Sequence, residues 1–143
     1  LNSMHLPAQN FIQTMIAGGV FVRHPELRVG VIELGAYWVG PMIEAMDMWH
    51  HNMSAFAKND NALPELPSAY LRRNVKVSVF SFEDIASYIE RYDLGDVVCF
   101  SSDYPHVEGG KDMIKVMYDK IEKFGPELIE KFFVTNGEFL LPE

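Results

Sequence analysis

Three short runs of β-favouring residues, set among helical patterns, restrict this chain more than any other feature. Residues 28–34 are apolar at most positions, residues 74–80 alternate, and residues 96–101 centre on a continuous apolar stretch. Runs of this length, apolar on both faces, suit strands of a buried parallel sheet. Between them the spacing predicts helices. Residues 8–23 place Phe11, Ile12, Met15, Ile16 and Val20 on one stripe, which Gly18 and Gly19 weaken or end near His24-Pro25. A longer helix is predicted over 38–56 with Pro41 in its first turn, then a loop over 59–67 and a short helix over 68–73. Further helices are predicted over 82–92 and 111–124, and a last short one over 127–133 after the Gly125-Pro126 break.

Strands alternating with helices imply parallel βαβ units, so the expected class is α/β. Two architectures fit: an open doubly wound sheet, or part of a (β/α)8 barrel. A closed barrel needs eight strands and typically about 250 residues, whereas this chain has three candidate strands in 143 residues. Three strands leave two unpaired edges. The sheet is therefore expected to pair with something or to be incomplete. The first residues, Leu1-Asn2-Ser3-Met4, fit an internal fragment, a processed product or a cloning remnant.

Composition narrows the function classes. With 48% hydrophobic residues the chain can bury one sizeable core, read as a single domain over 1–143. A net charge of -8, with Arg72-Arg73 as the adjacent basic pair, lacks the phosphate-neutralising footprint of a nucleic-acid binder. Residues 11–22 are apolar but interrupted by Gln13 and Thr14, follow no basic region, and are too short to span a bilayer. No membrane partner is expected. The lone Cys99 cannot form an intrachain disulfide, and a thiol in an apolar run suits a reducing, cytoplasmic location.

The segment with most chemical content is Phe100-Ser101-Ser102-Asp103-Tyr104-Pro105-His106, followed by Glu108-Gly109-Gly110. A carboxylate just past a buried strand stands where functional groups of parallel α/β proteins converge. Asp103 can ligate a divalent cation there or take a proton from a water; equally, an Asp in that place can cap a turn. Pro105 is expected to prevent a helical i,i+3 pairing of His106 with Asp103. That leaves His106 a supporting hydrogen-bonding role or a surface one. His50-His51 project about 100° apart on a helix and read as surface residues. Met42, Met46, Met48 and Met53, with Trp38 and Trp49, read as packing or interface residues.

The segment FSSDYPHVEGG resembles the last-strand motif of the amidohydrolase-related family of metal-dependent hydrolases and decarboxylases. Gly19-Val20-Phe21-Val22-Arg23-His24-Pro25-Glu26-Leu27-Arg28-Val29 resembles that family's helix-to-strand passage. Glu33, Gly35, Trp38 and Asp47 continue the likeness, as do Pro67-Ser68-Ala69-Tyr70 with Arg72, Arg73 and Asn74. Asn136-Gly137 matches the family's terminal turn poorly.

The resemblance implies the C-terminal part of a (β/α)8 TIM barrel, the three strands being its sixth to eighth. It implies Asp103 as a metal ligand and catalytic group, with a divalent ion, zinc above others, activating a water against a small-molecule substrate. Glu33 would replace a histidine that relatives use as acid or base, and His106 would support the site from behind the ligands. Non-oxidative decarboxylation of a small aromatic or unsaturated acid is the alternative chemistry. A non-catalytic partial barrel held together by oligomerisation is the alternative of another class. The first-strand His-x-His or Glu-x-His pair is absent, and His5, in a loop opening the first helix, is not assigned as a ligand. One ligand cannot make a catalytic metal site. The chain alone is therefore expected to be inactive, and to self-associate or pair with a missing N-terminal half.

Overall fold

The computed structural model describes residues 3–54, 63–106 and 109–142. The elements follow in the order α1 (Leu6–Ala17), α2 (Val20–Arg23), β1 (Val29–Val31), α3 (Val39–Ser54), α4 (Pro67–Asn74), β2 (Val75–Ser78), α5 (Ile85–Tyr92), β3 (Val98–Cys99) and α6 (Met113–Ile121). A 3-10 turn (Glu122–Phe124), α7 (Pro126–Glu130), a π turn (Lys131–Thr135) and α8 (Asn136–Glu138) complete the chain. The sheet order is β1-β2-β3 and both pairings are parallel, with Val29 opposite Val75 and Val77 opposite Val98.

Every predicted strand lies where a strand forms, but each is shorter than its apolar run. Asn74 closes α4 instead of opening β2, because its side-chain amide donates to the carbonyls of Pro25 and Leu27 at 2.7 and 2.8 Å. The 8–23 helix divides at Gly18–Gly19, and the 82–92 helix starts only at Ile85, where Asp84 caps it through the Ser87 amide. The 111–124 helix is α for Met113–Ile121 and ends in the 3-10 turn. The 127–133 helix begins at Pro126 and loosens into the π turn. Positions 55–56 of the predicted long helix, 59–62 of the loop, and Glu108 lie outside the described residues.

Side-chain alternation divides the sheet's two faces. Val31, Val75, Val77 and Val98 join the core with Ile12, Ile16, Val39, Tyr70, Leu71 and Ile85 from the helices. Lys76 is also buried, on the face where Phe139 lies 4.6 Å from its ammonium. The Lys76 ammonium donates to the carbonyls of Asp96 and Arg72, and burial holds its pKa below the usual lysine value. The expectation of two open edges is amended at β3. On its side away from β2, the Phe100 amide donates to the Phe132 carbonyl at 2.9 Å and Asn136 donates to the Val98 carbonyl at 2.8 Å. Trp38 and Met42 are core residues, whereas Met48, Trp49 and Met53 are exposed on α3. No described helix is long and apolar enough to cross a membrane.

Candidate metal centre

The carboxyl ends of the three strands lie side by side, and the loops that leave them carry the sequence-predicted groups. After β1 the chain turns sharply, with positive φ at Glu33 (63°) and Gly35 (63°). Left-handed backbone is unfavourable for a glutamate by about 1–2 kcal/mol, so outside contacts must hold it. The Glu33 amide donates to Ser78 Oγ at 3.1 Å and Trp38 Nε1 donates to the Gly35 carbonyl at 2.8 Å. The Ala36 amide donates to Glu83 Oε2 at 2.9 Å. Glu33 thus projects from a turn pinned to the neighbouring strand, its carboxylate largely open to solvent.

Asp103 follows β3 by four positions and is itself in the left-handed region, with φ 52°. Its side chain is only 10% exposed. Pro105 excludes a helical pairing of His106 with Asp103, as expected, yet the two side chains still meet. No helix forms here: the His106 amide donates to the Asp103 carbonyl at 2.7 Å, closing a tight turn that contains a cis Tyr104–Pro105 peptide. The turn carries the imidazole back over the carboxylate. His106 Nδ1 stands 3.3 Å from Asp103 Oδ1 and 3.9 Å from Glu33 Oε1. One donor atom from each of Glu33, Asp103 and His106 lies within 4.8 Å of the other two.

Asp103 Oδ1 distinguishes this cluster from an ordinary surface ion pair. Among the described residues it is buried and has no hydrogen-bond partner, with His106 Nδ1 standing 3.3 Å away. Leaving a buried carboxylate oxygen unsatisfied costs about 1–3 kcal/mol or more. A divalent cation would satisfy it. Two ligand atoms, each about 2.1 Å from a tetrahedral ion, lie about 3.4 Å apart. The separations of 3.3 and 3.9 Å are close to that spacing. Carboxylate, carboxylate and imidazole are also a donor set that zinc accepts.

The surroundings favour a site over a surface patch. Ser78, Val79, Phe80, Ser101 and Met113 line a small recess with Glu33 and Asp103. His106 opens onto a groove of about 780 Å³ walled by Phe100, Tyr104, Met113, Ile114 and Tyr118. A hollow of about 760 Å³ elsewhere, lined by Phe21, Arg28, Tyr70, Arg73 and others, contains none of these three residues. His5 stays outside the cluster, with Nδ1 2.8 Å from the Tyr37 hydroxyl and its ring stacked on Trp38. His50 and His51 hold their rings 6.2 Å apart at 72°, which is no chelate.

Two residues that support the site went unremarked in the sequence, Ser78 and Glu83. Ser78 could have been noticed as a small hydroxyl in an otherwise apolar strand. Glu83 carries no mark, since nothing local distinguishes a buried glutamate from one on a solvated helix start. Its neighbour Tyr88 has its phenol pushed above the ordinary tyrosine value, first by burial and then by the Glu83 charge and hydrogen bond.

Comparison with known proteins bears on the family and the fold. The family model described as amidohydrolase matches residues 3–142. No curated protein matches the chain. Among solved structures, an amidohydrolase from Mycobacterium avium subsp. paratuberculosis K-10 superimposes with a TM-score of 0.72 at 26% identity. The match covers 90% of this chain and 32% of that one, so the chain spans about a third of the length of the amidohydrolase it resembles.

Proposed function

The chain belongs to the amidohydrolase family, and from that membership we propose that Glu33, Asp103 and His106 form part of the divalent-metal site of a hydrolase acting on a small organic substrate. The observation that carries this is the buried Asp103 Oδ1, which accepts no hydrogen bond among the described residues, in a cluster whose possible ligand atoms lie within 4.8 Å of one another. The sequence offered a single ligand; three protein ligands with a side open to a groove is the arrangement catalytic zinc sites use. A cation held there would polarise the scissile carbonyl and acidify a water to a useful nucleophile near neutral pH.

The chain's own residues divide the remaining work. Asp103, nearly buried at a strand end, fixes the site's position. Glu33 has a second carboxylate oxygen beyond the one that faces His106, so a proton released in the site can rest there and pass to solvent, since this side chain is more than half exposed. Phe80 and Met113 limit water on the recessed side. Further ligands and the substrate-selecting loops belong, in this proposal, to strands that complete the barrel, supplied by the rest of the protein or by another copy.

The test is turnover by the whole protein on a panel of esters, lactones and amides, with and without added zinc. Rates should fall by more than about 100-fold in Asp103→Ala and on chelation. Undiminished hydrolysis in Asp103→Ala would overturn the proposal. Carbon dioxide release from aromatic or unsaturated acids, without hydrolysis, would move the chemistry to decarboxylation.

A further inference from the structure

Glu83 is 6% exposed, yet it carries a carboxylate. Oε1 accepts from the Phe80 amide at 2.7 Å and Oε2 accepts from the Ala36 amide at 2.9 Å. These amides belong to different loops: Phe80 lies two residues past β2, and Ala36 ends the turn that holds Glu33. Gly35 is packed so closely that a Cβ there would stand 2.9 Å from Glu83 Oε1. The backbone beneath Glu83 is also secured, since Lys120 donates to the carbonyls of Ser81 and Glu83 at 2.5 and 2.6 Å. A glutamate that only closed its own local turn would need the Phe80 contact alone. The second bond reaches across 47 positions to the Glu33 turn.

We propose that Glu83 is a positioning residue for the metal centre: by clamping the β1 and β2 loops together it sets where the Glu33 carboxylate stands against Asp103 and His106. The proposal rests on the metal reading above for its consequence, though not for its geometry. A carboxylate is needed because both partners are N–H donors. Glu83→Gln keeps the shape but presents an NH₂ group to one amide, leaving two donors face to face and the clamp open on that side. Loss of a supporting bond around a metal ligand typically weakens metal binding by about 10–100-fold.

The experiment compares wild type, Glu83→Gln and Leu94→Ala on the full chain. Leu94 is completely buried, so its truncation lowers stability without altering the clamp. Cobalt(II) titration followed by its absorption bands reads affinity, and amide hydrogen exchange at Gly35 and Ala36, in metal-free protein, reads the turn. Glu83→Gln should weaken cobalt binding about 10–100-fold and speed exchange at Ala36, whereas Leu94→Ala should lower the melting temperature and leave both unchanged. If Glu83→Gln binds cobalt as wild type does, or behaves like Leu94→Ala, the positioning role is overturned. If wild type binds no cobalt, the metal reading fails, and the exchange at Ala36 alone decides: unchanged exchange in Glu83→Gln overturns the clamp.

Discussion

Asp103 and Cys99 both lie at or just beyond the end of β3, and burial has a separate consequence at each. Asp103 Oδ1 is a buried acceptor without a donor, so the metal-free protein carries a desolvation cost there. Asp103→Asn, which tolerates the left-handed backbone at φ 52°, should therefore raise the stability of metal-free protein, by about 1 kcal/mol, while weakening metal-dependent stabilisation. Chemical denaturation with and without zinc measures both effects, and a destabilised apo variant would show that the oxygen is already satisfied. Cys99 is a buried thiol whose pKa burial pushes up to about 11. The folded state keeps the proton that the unfolded chain loses near the ordinary thiol value of 9.0. The thiol's contribution is thus full below about pH 9 and lost as pH rises through about 11. Stability should fall across that window more steeply in wild type than in Cys99→Ala. Lys76, whose pKa is lowered first by burial, works in the opposite sense toward 10.5 and interacts with the Cys99 thiolate, so the wild-type curve carries both contributions. A folded-state thiol reactive toward a disulfide reagent at pH 8 would contradict this account of Cys99.

The loop that follows β3 supplies Asp103 and His106 to the cluster, and Gly109 is closely packed against it. A Cβ at Gly109 would stand 2.4 Å from the Ser102 carbonyl oxygen, a backbone atom that no rotamer change can move. Gly109→Ala should keep the fold but displace Asp103, weakening zinc affinity by about 10-fold, or about 1.4 kcal/mol; calorimetric titration with unchanged affinity would show that the loop absorbs the methyl harmlessly. At this scale the sequence was legible where a signal is local. Apolar runs located all three strands, and the FSSDYPH segment located Asp103. It was illegible where position depends on distant partners: Asn74 ends a helix because of carbonyls at Pro25 and Leu27, and Glu83 matters because of Ala36. His106 fell between these cases. Pro105 does rule out a helix, as its chemistry requires, but a non-helical turn brings the imidazole to the carboxylate anyway.

As a whole, the molecule is a three-stranded parallel segment of the amidohydrolase barrel, with Glu33, Asp103 and His106 gathered at the carboxyl end of the sheet. Its own tail replaces some of the contacts that further strands would make: the π turn and Asn136 take the outer side of β3, and Phe139 lies against Lys76. The three site residues come from two loops separated by 70 positions, so the centre exists only once β1, β2 and β3 are in register. A crystal structure of the full chain grown with zinc and phased at the zinc edge examines this directly. One anomalous peak should lie about 2.0–2.2 Å from a carboxylate oxygen of Asp103, a carboxylate oxygen of Glu33 and a ring nitrogen of His106. A zinc-loaded crystal with its ion elsewhere, or with Asp103 Oδ1 still unligated, would contradict the assignment of this cluster as a metal centre.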